Sequence, residues 1–485
     1  MLNGLDGNQE KTNQAADATA YTDLDRIFAA QQAAFLESPM PSAEYRRRHL
    51  SQLKNVLLAY KERIIRAVSE DFNGRAADET LLAEFFPSLE GIHFTAKRVN
   101  RWMKPARRMV GLPFMPGRAR IIYQPLGVVG IIVPWNYPIY LSVGPLTGAL
   151  GAGNRVMIKM SMSTPNTAKI FQQMIAETFN ENHVAVIAGS QGMGSAFAKK
   201  PWNHLCFTGS TQTGRQVMRA ASDNLTPVTL ELGGKSPAVI GPETPVSEAA
   251  ERIAFGKMLN SGQTCIAPDY VLCPRRKIQE LVASLKSCVA KMYPSLKTNP
   301  QFTSIVNENQ HERIYAVLED ARQKGAQVTE INPAEEDFSD TRKMPLHVLT
   351  DVTAEMRVMQ EEIFGLLLPV VPYDTLKDAV DFINHRPRPL ALYYFGYDKA
   401  QIDHVLTHTC SGGVAVNDVL IHCPQDDLPF GGVGESGMGR YHGREGFINF
   451  SNQKGVLYKP RYNFTKLVYP PYGKIHQLVY KLFIR

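Results

Sequence analysis

Cysteine is sparse in this chain. Six stand among 485 residues, at 206, 265, 273, 288, 410 and 423, and none forms a CxxC pair or the compact framework that staples small secreted domains. Read as free thiols, they imply a reducing compartment. Long apolar runs are missing too: none approaches the roughly 18 residues that a membrane span requires, so the chain is expected not to cross a bilayer. The opening residues, MLNGLDGNQEKTNQ, carry no apolar h-region, which excludes a secretory signal and makes a cytoplasmic address the expectation. No repeat of fixed period is visible. The formal charge of +7 is small for this length, and the basic clusters at Arg46 to Arg48 and at Arg107 and Arg108 lie among apolar residues. They read as solvated faces, and no nucleic-acid partner is expected. No His/Glu grouping has metal-ligand spacing, so no catalytic metal is expected.

What is present is an ordinary globular composition, 44% hydrophobic and 20% charged, which excludes disorder for most of the length. A chain this long implies two or three structural units. Residues 1–20 are polar, lack periodicity and are expected to be unstructured. From Tyr21 to about Asn100 the text is helical, with Leu50, Leu53, Leu57, Ile64, Ile65 and Val68 near one face. GLPFMPGRARIIYQPLGVVGIIVP then predicts a hairpin leading into a buried strand. Between Gly127 and Ile240 the strand candidates VVGIIV, RVMIKM, VAVIAG, HLCFTG and PAVI alternate with helix-like stretches, the pattern of βαβ units and a mostly parallel sheet. A nucleotide site at the strand C-termini would follow from that arrangement. A second alternating block, with helices expected at Ile278 to Met292 and His311 to Lys324, reads as a second α/β domain. Lys474 to Arg485 carries one apolar helical stripe flanked by basic residues.

Three residues stand out chemically. Cys265, in NSGQTCIA, lies between small polar neighbours and a strand candidate, and a thiol is an economical nucleophile toward a carbonyl. A cysteine is more often a small core residue, which is the reading for the other five. Glu231, thirty-four positions earlier in LELGGKSP, is a strand-end carboxylate able to deprotonate water or a thiol; it is equally an exposed strand-end charge. Asn136 sits in PWNYP, where a side-chain amide fixed among aromatic and proline residues suits an oxyanion, or merely closes a turn. Gly432, Gly434 and Gly437 spell GxGxxG, yet they follow PQDDLPF in a glycine-rich loop, so they are not read as a dinucleotide fingerprint.

Taken in order, PWNYP, FTGSTQTG (207–214), ELGGKSP (231–237), GQTC (262–265), EEIFG (361–365) and PFGGVGESGMG (429–439) resemble the aldehyde dehydrogenase superfamily over about residues 25–460. DFNGR, ETLLAE, SGGVAVNDVLIH, GMGRYHGREGF and PPYGK are similar to the branch holding class 3, fatty and bacterial coniferyl aldehyde dehydrogenases. The resemblance implies an α/β fold: a Rossmann-like cofactor domain (21–107 and 126–232), a second α/β catalytic domain (233–428), a small β oligomerisation element (108–125 and 450–465) and an amphipathic tail (466–485). It implies Cys265 as the acylated nucleophile, Glu231 as general base, and Asn136 with the Cys265 N–H as oxyanion donors. NAD or NADP would be held by Lys159 at the adenosine ribose, Gly209, Ser210 and Gly214 at the pyrophosphate turn and helix, and Glu362, Phe364 and Trp135 on the nicotinamide side.

The implied activity is oxidation of an aldehyde, aryl-propenal or medium-chain aliphatic, to the acid through a cysteine thiohemiacetal and thioester. The same Cys–Glu pair would also serve a cofactor-independent esterase, and a silent structural member is the other alternative. Two positions depart from the family. Met162 replaces the carboxylate of KPSE, removing one reason to reject NADP, and Leu366 replaces the proline after EIFG. A homodimer is implied. For the tail, docking on its own or a partner subunit is preferred over a membrane surface, and its length is too short to span one.

Overall fold

The computed structural model describes residues 6–187, 192–462, 465 and 469–484. Helices Asp6–Glu37, Ala43–Ala59, Lys61–Asp71, Ala77–Thr80 and Phe86–Trp102 come first, with a π-helical turn at Leu81–Phe85. Leu50, Leu53, Leu57, Ile64 and Val68 are all fully buried, as their spacing on one helical face requires. The expectation of an unstructured 1–20 is corrected from Asp6 onward; residues 1–5 lie outside the described ones. The physical reason is the alanine-rich run Ala15, Ala16, Ala18 and Ala20, whose high helix propensity extends a helix anchored further on. That anchor is Leu24, Ile27 and Phe28, packed in one cluster with Val128, Met157 and Trp202.

Beyond these helices the chain builds a six-stranded sheet in the order Gly437–Met438, Val228–Glu231, His204–Thr208, Val128–Ile132, Arg155–Lys159, Val184–Ile187. All neighbours are parallel except the first pair. The strands are buried on both faces, which is why they read as continuous apolar runs. Strand order reverses at Val128–Ile132, and that reversal opens a crevice at the C-terminal edge. Ile132 pairs with Lys159 and Phe207, and Thr208 with Glu231, so the segments that follow Ile132, Lys159 and Thr208 gather at that edge beside Glu231.

The strand candidate PAVI belongs to a second sheet, ordered Gln327–Ile331, Leu346–Thr350, Leu367–Tyr373, Tyr270–Pro274, Pro237–Ile240, Ala391–Phe395, Gly413–Val416. Only its first pair is antiparallel. Helices Val246–Met258, Ile278–Met292 and Glu308–Gln323 pack on it through residues such as Ile253, Leu285 and Val317. Leu366, unusual for the family, is fully buried, and its carbonyl accepts from the His347 N–H at 2.9 Å. A third, antiparallel sheet joins Ala106–Arg108, Arg118–Pro125 and Ser451–Tyr458, and its first two strands form the expected hairpin. Gly432 to Gly437 lead into a two-residue edge strand with no helix directly after it.

The tail forms helix Lys474–Phe483, and residues 466–468 and 485 lie outside the described ones. Among the described side chains, docking of its stripe on the chain's own body is not found: Ile475, Leu478 and Leu482 are each more than half exposed, and of the described side chains in this helix only His476 is buried. One turn inserts its histidine while the leucines face outward. The core reading of Cys410 is likewise corrected, since that thiol is exposed.

Two histidines are buried at strand starts of the first sheet, His183 just before Val184–Ile187 and His204 opening His204–Thr208. His183 packs edge-on to His49 with ring centroids 4.2 Å apart, and burial, with His49, Arg155 and Arg48 nearby, pushes it down to about 3. His204 meets Thr229 Oγ1 at 2.8 Å, and burial pushes it down to about 4. Unfolded histidines titrate near ~6.5, so below that pH the unfolded chain binds more protons. Their stabilising contribution is complete above pH ~6.5 and is lost as the pH falls toward the folded values. Between pH 7 and 5 the urea midpoint of His183→Gln is therefore expected to fall less, or rise more, than that of the wild type; identical pH slopes for the two proteins would contradict this.

Candidate active site

The nucleophile segment is bent by backbone that most residues avoid. Asn260 (φ 52°) and Ser261 (φ 53°) both adopt left-handed conformations inside the turn Leu259–Gly262. Each such non-glycine residue costs on the order of 1–3 kcal/mol and persists only where its surroundings over-determine it. Here they do. The Asn260 N–H donates to Glu79 Oε1 at 3.2 Å, and the Ser261 hydroxyl donates to the Thr303 carbonyl. Gln263 Nε2 donates to the Asn260 and Ser304 carbonyls at 2.9 and 3.1 Å, while its Oε1 accepts from the Val306 N–H at 2.9 Å. The strained turn delivers Cys265 to the crevice with part of its surface open. Burial, followed by the charges of Cys423, Glu362 and Glu231, holds the thiol well above its ordinary range, so it keeps its proton at rest.

Glu231 ends the strand Val228–Glu231 at 3% exposure, and neither carboxylate oxygen has a hydrogen-bond partner. A side chain at Gly431 would place its Cβ 2.7 Å from Glu231 Oε1, so the absence of one there lets the glycine-rich loop close over the carboxylate. Burial raises the Glu231 carboxyl well above the usual carboxylate range, and Arg440 opposes the shift. An unpaired buried carboxylate is a costly arrangement whose usual explanation is chemical.

Asn136 is buried in the loop that follows Ile132. Its backbone carbonyl accepts from Arg75 Nη1 and from Asn260 Nδ2, each at 3.1 Å. The next residue, Tyr137, shares a 2.7 Å bond with Thr264 Oγ1, the residue before the nucleophile. The Asn136 loop and the Cys265 loop are thus tied to each other twice. The structure brings Cys265, Glu231 and Asn136 into one neighbourhood from three separate segments.

The remaining expected residues lie along the same edge. Lys159 ends its strand, its carbonyl accepts from the Val133 N–H at 3.0 Å, and burial lowers its ammonium from the usual value. The Gly209 N–H donates to the Glu231 carbonyl at 3.0 Å, and Ser210 caps helix Thr211–Ser222 by accepting from the Thr213 N–H at 3.3 Å. Gly214 lies in the first turn of that helix. A Cβ there would lie 2.5 Å from Leu232, so its missing side chain serves helix-on-strand packing. Glu362 is pushed up to about 8, by burial first and by Asp269 second, and its Oε1 lacks a partner. A Cβ at Gly233 would fall 1.9 Å from Glu362 Oε2, so a close approach of this carboxylate is built into the GG pair. Phe364, left-handed at φ 52°, stands edge-on to Trp135 with centroids 5.2 Å apart. An orphaned carboxylate oxygen, a capped helix start and a strand-end lysine on one crevice fit a nicotinamide dinucleotide.

Sequence reasoning assigned no role to the residues that hold this loop. Lys235, inside the quoted ELGGKSP, pairs with Asp269 and donates to the carbonyls of Val358 and Glu361 at 2.7 and 3.0 Å. Asp269 Oδ2 accepts from the Ile363 N–H at 2.9 Å, and Arg313 Nη2 donates to the Ile363 carbonyl at 2.6 Å. The signal was the lysine after the glycine pair, a cation beside a turn; the partner Asp269 carried none.

A crevice at a parallel-sheet switch point, with a thiol, a free carboxylate and a nucleotide-type edge, defines a nicotinamide-dependent oxidoreductase. Residues 6–456 match the aldehyde dehydrogenase family. The chain belongs to that family. It is 57% identical over 95% of its length, and 96% of the relative's, to a probable coniferyl aldehyde dehydrogenase of Pseudomonas aeruginosa. It is 42% identical, over 98% of both chains, to a coniferyl aldehyde dehydrogenase of a Pseudomonas species. The substrate-bound AldH of Staphylococcus aureus superposes with a TM-score of 0.89 at 34% identity, covering 95% of this chain and 99% of that one. The aldehyde dehydrogenase of Mycobacterium tuberculosis complexed with NAD+ gives 0.83 at 29% identity, covering 92% of each. The fold is that of the aldehyde dehydrogenases, and the chain is an enzyme that oxidises aldehydes.

Proposed function

We propose that this enzyme oxidises an aryl-propenal of the coniferyl aldehyde type to its acid, with Cys265 as nucleophile, Glu231 as base, and Asn136 with the Cys265 N–H as oxyanion donors. The observation that carries the reading is Glu231, buried, without a partner and beside a protonated thiol. Hydride does not leave a planar aldehyde readily, so a tetrahedral alkoxide must form first. Cys265 gives its proton to solvent, the sulfur attacks the carbonyl carbon, and a thiohemiacetal alkoxide results. The Asn136 amide and the Cys265 N–H hold its oxygen; loss of one such donor typically costs ~2.7 to 4 kcal/mol of barrier. When bound, the nicotinamide cofactor supplies the hydride acceptor. Collapse of the alkoxide leaves a thioester on Cys265, and Glu231 removes a proton from the water that hydrolyses it.

Lys159, Gly209, Ser210, Gly214, Glu362, Phe364 and Trp135 would hold the cofactor, and both NAD and NADP are proposed to be accepted. In support, Met162 is 54% exposed just beyond Lys159 and sets no carboxylate against a 2′-phosphate. Exposed Leu112, Phe114 and Met115 in the hairpin connection, with Leu457 and Tyr458 on the last strand of the antiparallel sheet, support a homodimer formed there, with the tail stripe meeting the partner subunit. Free cysteines throughout support a cytoplasmic location.

Cys265→Ala is expected to abolish reduced-cofactor formation while cofactor still binds; unchanged turnover would overturn the assignment. For Glu231→Gln, stopped-flow absorbance at 340 nm should show one burst of reduced cofactor and then a stall, and steady wild-type turnover would count against the base. The ratio of kcat/KM for NAD over NADP should stay under about a thousandfold. In a panel of cinnamic-type and linear aldehydes, the cinnamic type should give the higher kcat/KM, and the reverse ranking would reject the substrate class.

A further inference from the structure

Arg75 and Glu84 form an ion pair whose side chains are both fully buried, with Nη1 3.0 Å from Oε1. Pairs of this kind seldom add stability, since apolar residues of similar volume are often as good. Their bonds here converge on one short segment. The same Arg75 Nη1 also donates to the Asn136 carbonyl at 3.1 Å, while Arg75 Nε and Nη2 have no partner. Glu84 Oε2 accepts from the N–H groups of Ile139 and Tyr140, at 2.6 and 3.1 Å, where helix Tyr140–Ala152 begins. Glu84 reaches them from the π-helical turn Leu81–Phe85, a distortion found mostly at functional positions. The guanidinium stands 4.9 Å from the centroid of the Tyr137 ring and 5.3 Å from that of Phe72.

One ion pair therefore grips the Asn136 segment on both sides: at its carbonyl, and at the amides three and four residues on. The carbonyl's second donor, Asn260 Nδ2, comes from the nucleophile turn. We propose that Arg75 and Glu84 are positioning residues for the oxyanion hole, fixing the Asn136 peptide plane so that its side-chain amide points where negative charge develops. This rests on the reading of Asn136 as an oxyanion donor. Preorganised donors are effective because they need not reorient in the transition state, so slack in this peptide would slow acylation without weakening cofactor binding.

The test is a double-mutant cycle on the burst of reduced cofactor, with Arg75→Lys made in the wild-type and Asn136→Ala backgrounds and cofactor Kd measured in parallel. The expected result is a loss of about tenfold or more in the wild-type background, under about twofold on Asn136→Ala, and an unchanged Kd. Equal losses in both backgrounds, or no loss in either, would overturn the inference. A wild-type burst in Asn136→Ala alone would instead reject the oxyanion reading beneath it. If Arg75→Lys does not fold, Arg75→Met with Glu84→Met, which removes both charges together, takes its place in the same cycle. Failure of that pair to fold would overturn the inference in favour of a purely structural role.

Discussion

A carboxylate sealed from water with no donor to meet it is held against a desolvation cost of several kcal/mol, and Glu231 is held in that state. The surrounding architecture keeps it there. The parallel strand Val228–Glu231 fixes its backbone, the Gly209 N–H occupies its carbonyl rather than its side chain, and the glycine at 431 lets a loop close over the head group. Burial raises both Glu231 and Cys265, so both hold their protons at rest, and Glu231 must first ionise before it can take a proton from water.

Around this pair, rigidity comes from buried ions and strained backbone rather than from the sheets alone. Lys235 with Asp269 secures the segment carrying Glu362 and Phe364, and Arg75 with Glu84 secures the one carrying Asn136. Asn260 joins the latter to the nucleophile turn. Left-handed Asn260, Ser261 and Phe364 all lie in these loops, and the strain is borne where side chains must be aimed.

Legibility followed physical locality. Strands such as Val128–Ile132 and His204–Thr208 were readable because burial on both faces demands unbroken apolar runs, and helix Ile278–Met292 because one face must be apolar. Cys265, Glu231 and Asn136 were readable only as an ordered set, each having a bland alternative alone. Arg75, Glu84, Asp269 and Asn260 were not readable as site residues, since an ion or amide becomes a support only through partners distant in sequence. The helix from Asp6 was missed because polarity was weighed above alanine propensity. The tail's outward stripe depends on how the preceding residues lead into the helix, which periodicity does not encode.

The central claim is that carbon from the substrate passes through a covalent bond to Cys265. Peptide mass mapping after acid quench of Glu231→Gln, mixed with aldehyde and cofactor, tests it most directly. The account predicts an acyl mass on the peptide containing Cys265 in near-stoichiometric yield, absent without cofactor. An unmodified Cys265, or the acyl mass on Cys423 in its place, would contradict it.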